Sequence, residues 1–258
     1  MIITTAPKPS PELMQQAAQL GEELGARVVP RRKESLIGLK RRYNDHRLLI
    51  IDAQGLRFYG EDDAKPPLYF HPSMAYVRIK RMRRGERDPL IELSGCRPGD
   101  RVIDCTAGLG SDAIVFAYAA GADGHVTALE SEPVLCAVVR EGLQRYETIH
   151  EDVNEALRRV EMQCAEHGAF LAALPDKSAD IVYFDPMFRQ PLHDSAALQP
   201  LRGVANRAAL TEQAVADAVR VARKSVVLKE HRESREFERL GFVRQHVNKI
   251  AYGVIKLS

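Results

Sequence analysis

Short apolar runs alternate with amphipathic segments from about residue 100 onward, which is typical of strands separated by helices. The predicted strands are Arg101–Cys105, His125–Leu129, Glu147–His150, Ala179–Phe184 and Lys224–Lys229. The predicted helices are Asp112–Ala120, Pro133–Arg145, Glu155–His167 and Arg207–Ala222. This order predicts an α/β fold of βαβ units, with a mainly parallel sheet that helices cover on both faces.

Two further apolar runs follow, Phe242–Val247 and Ala251–Leu257, with only three residues between them. A crossover needs about a dozen residues, so these runs are predicted to form an antiparallel hairpin. A doubly wound parallel sheet closed by an antiparallel pair is the methyltransferase variant of the Rossmann plan rather than the dehydrogenase variant. A fold alone does not fix a function, so the residues at the strand ends have to decide.

The first sixty residues predict a small N-terminal α/β unit. Ile2–Thr5 has the pattern of a short strand, and an amphipathic helix follows that Gly25 ends. Leu48–Asp52 and Leu56–Tyr59 flank a short turn, which predicts a hairpin.

The acidic, proline-bearing segment 60–67 is the best linker candidate in the chain. We therefore expect a small α/β domain over residues 1–66, with an open role in substrate or RNA binding, and a larger domain over residues 67–258. A chain of 258 residues with 45% hydrophobic content is long enough to bury a core of this size.

Composition excludes several classes of protein. The longest mostly apolar stretch, Ala113–Ala122, is far too short to span a bilayer, and the N-terminal sequence lacks the pattern of a secretory signal. The four cysteines show no C-x-x-C motif and no Cys/His ligand spacing, so no metal site is expected. We expect a cytoplasmic protein with reduced thiols and no membrane partner.

Basic residues are concentrated in two windows, although the formal net charge is only +2. Arg27–Arg47 has eight basic and two acidic residues, and Met74–Asp88 has six basic and two acidic residues. Such clusters can neutralise phosphates and attract a polyanion. A solvated face balanced by acids elsewhere explains the charge runs alone equally well.

The first strand of the predicted parallel sheet leads into a glycine-bearing turn. Gly108 and Gly110 allow the backbone to turn sharply and to approach a ligand closely, and the next helix points free N–H groups at that ligand. A dinucleotide site would have a third glycine where Ala113 stands. Asp112 at the helix start repels a pyrophosphate but suits a ligand with an ammonium and a sulfonium group. A purely structural turn is the alternative.

Acidic side chains follow the next two predicted strands. Glu130 ends the second strand, where a carboxylate can accept hydrogen bonds from both ribose hydroxyls of an adenosine. Asp152 follows the predicted third strand, where a polar side chain would reach the adenine amino group, and it could equally cap the next helix. An exposed glutamate without a ligand is the alternative for Glu130.

The fourth predicted strand ends in Asp185, Pro186, Met187 and Phe188. The carboxyl edge of a parallel sheet is where such folds bind ligands. Asp185 and the rigid backbone of Pro186 can accept hydrogen bonds from an exocyclic amine and so orient its lone pair toward a methyl donor. Phe188 offers a face on which a flipped base can stack. The alternative is a strand-ending turn with a core phenylalanine.

Together these motifs resemble the class I S-adenosylmethionine (SAM) methyltransferases, and more closely the RsmJ (YhiQ) family, which methylates the N2 amine of a guanine in small-subunit ribosomal RNA. The similar stretches are DCTAGLGSDAIVFA (104–117), ALESEPVLCAVV (128–139), IHEDVNEAL (149–157), VYFDPMF (182–188), SVVLK (225–229) and FHPSMAYVRIKR (70–81). The first sixty residues match poorly. The family usually has arginine where this chain has Ser111 and Ser131.

The resemblance implies a Rossmann-like class I methyltransferase sheet in residues 67–258 and S-adenosyl-L-methionine as the cofactor. The residues expected to bind the cofactor are Asp104, Gly108, Gly110, Ser111, Asp112, Glu130, Ser131, Asp152, Val153 and Asp185. The residues expected to be catalytic are Asp185, Pro186 and Phe188. The residues expected to contact RNA phosphates are Arg78, Lys80, Arg81, Arg83 and Arg84.

The predicted function is methylation of the N2 amine of a guanine by in-line displacement, with positioning as the main source of acceleration. Ribosomal RNA or the small ribosomal subunit is the expected partner. Two alternatives stay open: a methyltransferase for another RNA, a protein amine or a small molecule, and a non-catalytic nucleotide- or RNA-binding module. The sequence leaves open which nucleotide is modified, whether the substrate is naked RNA or assembled subunit, and the oligomeric state.

Overall fold

The structure is a computed structural model that describes residues 1–186, 209–246 and 250–257. Contacts within the chain divide these residues into two compact units. Unit 1 combines Met1–His71 with Glu132–Arg145, and unit 2 contains the remaining described residues. The predicted domain boundary between residues 66 and 67 stays a prediction.

Helices and strands alternate along most of the chain. The helices are α1 (Pro11–Glu23), α2 (Leu36–Tyr43), α3 (Ser73–Met82), α4 (Pro89–Ser94), α5 (Ser111–Ala120), α6 (Pro133–Arg145), α7 (Glu151–Arg158), α8 (His167–Ala173), α9 (Glu212–Val221) and α10 (Glu236–Arg239). The strands are β1 (Ile2–Thr5), β2 (Arg27–Val28), β3 (Leu48–Asp52), β4 (Gly55–Tyr59), β5 (Leu68–Tyr69), β6 (Arg101–Asp104), β7 (His125–Glu130), β8 (Val160–Cys164), β9 (Ala179–Phe184), β10 (Ala222–His231), β11 (Val243–His246) and β12 (Ile250–Lys256).

Unit 1 is built around a mixed sheet with the strand order β2-β1-β3-β4-β5. β1 runs parallel to β2 and β3, whereas β4 runs antiparallel to β3 and β5. The predicted hairpin of β3 and β4 is confirmed, and its turn is tightened by a 2.9 Å hydrogen bond from the Gln54 amide to the Asp52 carboxylate. The core of this unit includes Ile2 of β1, Leu39 of α2 and Ile50 of β3.

Unit 2 contains a sheet whose strand order, in the described part of the chain, is β11-β12-β10-β9-β6-β7-β8. Neighbouring strands from β10 to β8 are parallel, and β12 pairs antiparallel with β10 and β11. Every residue of β9 is buried, as expected for a parallel strand with both faces covered. The predicted mainly parallel α/β sheet with a C-terminal antiparallel hairpin is confirmed.

The predicted third parallel strand is wrong. Residues 147–150 form no strand, and Ile149 is 88% exposed. Asn154 instead fixes a turn here, because its side-chain oxygen accepts from the Thr148 amide at 2.7 Å and its amide nitrogen donates to the Thr148 carbonyl at 3.1 Å. The third strand is β8, within the segment predicted as the helix 155–167, and its burial alternates along the first residues as in a half-buried strand.

The last parallel strand extends two residues past its predicted end at Lys229, which therefore lies inside β10. The preceding helix α9 begins later than predicted. Thr211 caps it by accepting a 3.1 Å hydrogen bond from the Ala214 amide, because a side-chain oxygen satisfies one of the unpaired amides at a helix start. The first two residues of the predicted helix, 207 and 208, lie outside the described residues.

Among the described residues, no helix is long and apolar enough to cross a membrane. Cys96 and Cys105 are free thiols, whereas Cys136 and Cys164 are disulfide-bonded. The expectation of reduced thiols is therefore wrong for the latter two. Neither residue belongs to a short-range cysteine motif, so the local sequence carries no signal of this state.

A close contact inside unit 1 gives a stability prediction. A Cβ atom added at Gly142 of α6 would overlap the buried Phe70 ring. Gly142→Ala should lower the free energy of unfolding by about 1–3 kcal/mol, although alanine favours a helix by about 1 kcal/mol over glycine. Gly38→Ala in α2 is the control, because the three atoms nearest to its methyl group would belong to the flexible side chains of Glu34 and Ser35, at 3.0 Å or more. Urea denaturation showing equal effects of the two substitutions would contradict the packing described here.

Candidate functional site

The carboxyl edge of the larger sheet brings three chain segments together. The segment after β6 donates from Cys105 N to Tyr183 O of β9 at 2.8 Å and from Ala107 N to Leu129 O of β7 at 2.9 Å. The Thr106 hydroxyl accepts a 2.5 Å hydrogen bond from the Asp185 amide. β6 lies between β7 and β9, where the strand order changes direction. This is the position at which open parallel sheets bind ligands.

The predicted glycine turn is present at this edge. Gly108 and Gly110 have positive φ angles of 52° and 78°, which glycine adopts without strain. Gly110 N donates to Ala107 O at 2.7 Å, and α5 begins at the next residue, Ser111. Among the residues that the structure describes, a Cβ atom added at Gly108 would meet nothing within 4 Å. The turn therefore leaves open space beside the start of α5.

Glu130 is the last residue of β7 and stands opposite Cys164 of β8 in the parallel register. Glu130 is 9% exposed, and its backbone carbonyl accepts a hydrogen bond from the Ala165 amide at 3.0 Å. Ser131 follows directly and is half-buried. The structure thus places both residues at the strand end where the ribose contact is expected, and the contact itself stays a prediction.

Asp152 and Val153 do not lie at the end of a parallel strand. Both belong to the first turn of α7, where Val153 is fully buried. Asp152 forms an ion pair with Arg83 and accepts a 3.2 Å hydrogen bond from the Tyr118 hydroxyl. The expectation that Asp152 follows the third strand is wrong, because that strand ends at Cys164.

Glu166 and His167 occupy the edge position that the sequence assigned to Asp152 and Val153. Glu166 caps α8 by accepting from the Gly168 and Ala169 amides at 2.9 Å each. The His167 ring meets Phe184 of β9 edge to face, with ring centroids 5.7 Å apart. Burial lowers the pKa of His167, although Glu166 opposes the shift. With the third strand predicted at residues 147–150, no sequence signal points to Glu166 or His167.

Asp112 in the first turn of α5 is the centre of a buried ion-pair network. Its carboxylate is paired with Arg78 of α3 and with Lys229 of β10 at 2.8 Å, and it accepts from the Tyr183 hydroxyl at 2.9 Å. Burial alone would raise the pKa of Asp112, but the charges of Lys229 and Arg78 hold it below its ordinary value. The Asp112 charge is therefore matched by cations of the protein itself, and its predicted cofactor contact stays a prediction.

Arg78 is tied to two carboxylates. Its guanidinium donates two 2.8 Å hydrogen bonds to Asp88, in addition to its pair with Asp112. Burial disfavours its charge, but these carboxylates more than offset that effect and raise the pKa of Arg78. This placement favours an internal ion pair over a phosphate contact for Arg78.

Lys229 also contacts the predicted acceptor residue. Its ammonium lies 2.7 Å from the Asp185 carboxylate, whose side chain is 26% exposed. Burial raises the pKa of Asp185 to about 6; Lys229 opposes that shift and Asp112 adds to it. Pro186 is half-buried beside Asp185, and Phe188 lies outside the described residues. Lys229 was missed as a site residue because the sequence showed only an apolar run ending there.

Asp104 at the end of β6 is 1% exposed and accepts a 3.1 Å hydrogen bond from the Thr106 amide. Burial, with a smaller contribution from Asp112, raises the pKa of Asp104 well above its ordinary value. This contact makes Asp104 part of the turn that supports the site, and its predicted cofactor contact stays a prediction.

The other predicted RNA contacts lie on or just after α3. Lys80, Arg81, Arg83 and Arg84 are all exposed. Arg83 is the member that pairs with Asp152, and the Lys80 ammonium lies 5.4 Å from the centre of the Tyr76 ring. These four side chains remain on the protein surface, unlike Arg78.

A mainly parallel sheet with an antiparallel C-terminal pair and a glycine turn after the central strand is the fold of the class I methyltransferases. The model of the family described as "Putative SAM-dependent methyltransferase" matches residues 33–242. The chain belongs to this family, so it is a SAM-dependent methyltransferase whose cofactor is S-adenosyl-L-methionine.

Comparison with known proteins extends this similarity. "Uncharacterized protein YpiP" of Bacillus subtilis is 39% identical over the full length of both chains. "Ribosomal RNA small subunit methyltransferase J" of Thioalkalivibrio sulfidiphilus is 32% identical over 158 residues, which cover 58% of this chain and 59% of that protein. The crystal structure of the SAM-dependent methyltransferase NGO1261 from Neisseria gonorrhoeae has a TM-score of 0.65 at 17% identity, covering 99% of this chain and 96% of that one. This last likeness shows the fold.

The residues at the carboxyl edge fit SAM. The open space at Gly108 leaves room for a ligand against the backbone, and a carboxylate at the end of β7 can accept from two hydroxyl groups of a ribose. The first amides of α5 have no partner within the helix and can donate to the ligand as well. The chemistry of these groups matches a nucleoside.

The buried network gives a stability prediction. Arg78→Met should lower the free energy of unfolding by about 3–5 kcal/mol, because Asp88 and Asp112 would each lose a cation in a buried setting. Arg87→Met is a matched control, since Arg87 is 83% exposed and pairs with Glu92 at 3.0 Å. An exposed pair of this kind contributes less than about 1 kcal/mol. If urea denaturation shows small effects for both variants, the ion pairs of Arg78 with Asp88 and Asp112 do not stabilise the fold as described.

Proposed function

We propose that this methyltransferase transfers the methyl group of SAM to the exocyclic N2 amine of a guanine in small-subunit ribosomal RNA. The observation that carries the proposal is Asp185, a partly exposed carboxylate directly after β9 at the point where the strand order changes direction. The partial similarity to ribosomal RNA small subunit methyltransferase J supports the choice of substrate.

In this proposal, one set of residues at the carboxyl edge binds SAM, and another set binds the amine that accepts the methyl group. Glu130 grips the ribose of SAM, and Gly108 and Gly110 let the backbone approach the cofactor closely. Bound SAM would supply an electrophilic methyl group and leave as a neutral thioether, and the methylated nitrogen would then lose a proton to solvent. The lone pair of a purine amine is delocalised into the ring, so the amine is a poor nucleophile. Asp185 and the Pro186 carbonyl accept hydrogen bonds from the N–H groups and favour the pyramidal nitrogen of the transition state over the planar ground state.

Asp185→Asn should reduce methyl transfer by about 100-fold or more, by analogy with the loss of one preorganised transition-state contact. SAM affinity should change less, because most of the expected cofactor contacts lie on other strands. Asp180→Asn is the matched control: Asp180 lies at the opposite end of β9, where it pairs with Arg223 at 3.0 Å. Single-turnover assays with SAM and small-subunit RNA give the rates.

The substrate is tested by mass spectrometry of ribosomal RNA from cells without the gene, complemented with the parent protein or with Asp185→Asn. The proposal predicts N2-methylguanosine that is lost on deletion and restored only by the parent. Unchanged N2-methylguanosine in the deletion, together with SAM turnover on another acceptor, would instead favour another RNA, a protein amine or a small molecule.

RNA phosphates would meet the exposed cations of the α3 segment. Lys80, Arg81 and Arg84 form no ion pair within the described ranges of the chain. A second basic surface lies in unit 1, in the segment Arg27–Arg47 with its eight basic and two acidic residues. Both acids are paired: Glu34 with Arg42 at 2.9 Å and Asp45 with the N-terminal amine at 2.5 Å.

The two acidic residues of the Arg27–Arg47 segment are therefore neutralised by these ion pairs. The exposed cations left without an ion pair in the described part of the chain include Arg32, Lys33 and Arg41. Lys40 is not among them, because it is buried and pairs with Asp63.

Changing Lys80, Arg81 and Arg84 together to Gln should flatten the dependence of log RNA affinity on log salt by roughly 2, at about 0.7–0.9 per phosphate contact. SAM affinity should stay the same. The triple variant of Arg32, Lys33 and Arg41 to Gln serves as the comparison, and filter binding at several salt concentrations gives both slopes. If only the unit 1 variant changes the salt dependence of RNA affinity seen in the parent protein, the RNA-binding surface lies in unit 1 instead.

A further inference from the structure

We propose that Lys229 is the positioning residue of the acceptor site: its ammonium ties one oxygen of Asp185 and leaves the other to face the substrate amine. This inference rests on the proposed role of Asp185 in methyl transfer. Neither the family similarity nor the sequence patterns assign any role to Lys229.

The geometry separates the two oxygens of Asp185. Lys229 Nζ lies 2.7 Å from Asp185 Oδ2 and 2.8 Å from Asp112 Oδ2. Within residues 1–186, 209–246 and 250–257, Asp185 Oδ1 accepts no side-chain hydrogen bond. The backbone of Asp185 is fixed as well, because its amide donates to the Thr106 hydroxyl. A carboxylate held in this way presents a defined oxygen to an incoming N–H group.

Lys229 is itself held in place. Its other partner, Asp112, also accepts from Arg78 and from the Tyr183 hydroxyl, and Arg78 in turn is fixed by two hydrogen bonds to Asp88. The Lys229 side chain is 17% exposed. Asp112 on α5 and Asp185 after β9 are each held by further hydrogen bonds. The Lys229 ammonium is therefore fixed between these two carboxylates.

The surroundings of Asp185 are otherwise acidic. In the part of the chain that the structure describes, the charges with the largest effect on Asp185 are Lys229 and Glu230 on β10 and Asp112 on α5. Asp185 in turn acts on Asp104 of β6 and on Tyr183 of β9. Tyr252 on β12 acts on Lys229 and is itself acted on by Asp112. Lys229 is the cation in this set, so without it the ionised Asp185 would stand beside like charges that disfavour ionisation.

Lys229→Met should therefore raise the titration midpoint of Asp185 by about 1–3 pH units, since a cation in direct contact lowers the pKa of a carboxylate by that amount. The acidic limb of the pH–rate profile for single-turnover methyl transfer should move upward equally, so that the rate at pH 7 falls and recovers at higher pH. Lys229→Arg should restore most of the rate at pH 7. Carbon-13 NMR of labelled aspartate gives the midpoint without any substrate.

Lys224→Met is the matched control, because Lys224 lies on the same strand and also bridges two carboxylates, Asp100 at 2.5 Å and Asp180 at 3.8 Å. It should leave the Asp185 midpoint and the pH profile unchanged. Lys229→Met should also have no further effect on the rate in an Asp185→Asn background. An unchanged Asp185 midpoint in folded Lys229→Met, or an equal rate loss at every pH and in both backgrounds, would overturn the proposal.

The NMR measurement separates this inference from the proposed function. If the parent protein methylates no RNA but the Asp185 midpoint still rises in Lys229→Met, the ion pair is as described and the substrate is wrong. If the parent methylates guanine but the midpoint does not move, Lys229 does not position Asp185.

Discussion

The pairing of Asp112 with two cations is the interaction on which the carboxyl edge of the larger sheet depends. A buried carboxylate costs several kcal/mol unless partners compensate it. Here those partners come from three other elements: Arg78 from α3, Lys229 from β10 and Tyr183 from β9. The charge of one aspartate therefore fixes the start of α5 against a helix and two strands.

This constraint has a consequence for chemistry. The ammonium that compensates Asp112 is close enough to hold Asp185, which is only partly covered. The Lys229–Asp185 ion pair thus connects the buried network to a carboxylate that is exposed enough to contact a substrate. Binding sites of this kind work through residues that a second layer of contacts holds in place. The glycine turn directly before Asp112 leaves open space beside Gly108 in the described part of the chain, as a cofactor requires.

Much of this arrangement is predictable from local sequence. The alternation of strands and helices, the C-terminal hairpin, the glycine turn and Glu130 at the end of β7 each follow from a short stretch of chain. The third strand does not, because Ala156, Leu157 and Val160 continue a helical spacing across the boundary between α7 and β8.

The role of Lys229 could not be predicted for a different reason. Its two partners lie 117 and 44 residues away in the chain, so only the tertiary structure brings the three groups together. Arg78 is a similar case, since a basic run indicates a phosphate surface until burial assigns one member to an internal pair. Four of the five cations predicted to contact RNA are exposed, and the charge pattern does not reveal the buried ion pair of the fifth, Arg78.

The most direct test of the account is the affinity of the protein for SAM, measured by calorimetry for the parent and for Glu130→Ala. If the cofactor lies at the carboxyl edge with its ribose on Glu130, two charge-assisted hydrogen bonds of about 1.5–3 kcal/mol each are lost. Together these amount to about 3–6 kcal/mol, so the dissociation constant should rise roughly a hundred- to ten-thousandfold. Glu161→Ala on β8, where Glu161 pairs with His125 at 2.9 Å, should bind SAM like the parent. Unchanged affinity in a folded Glu130→Ala protein would contradict the account.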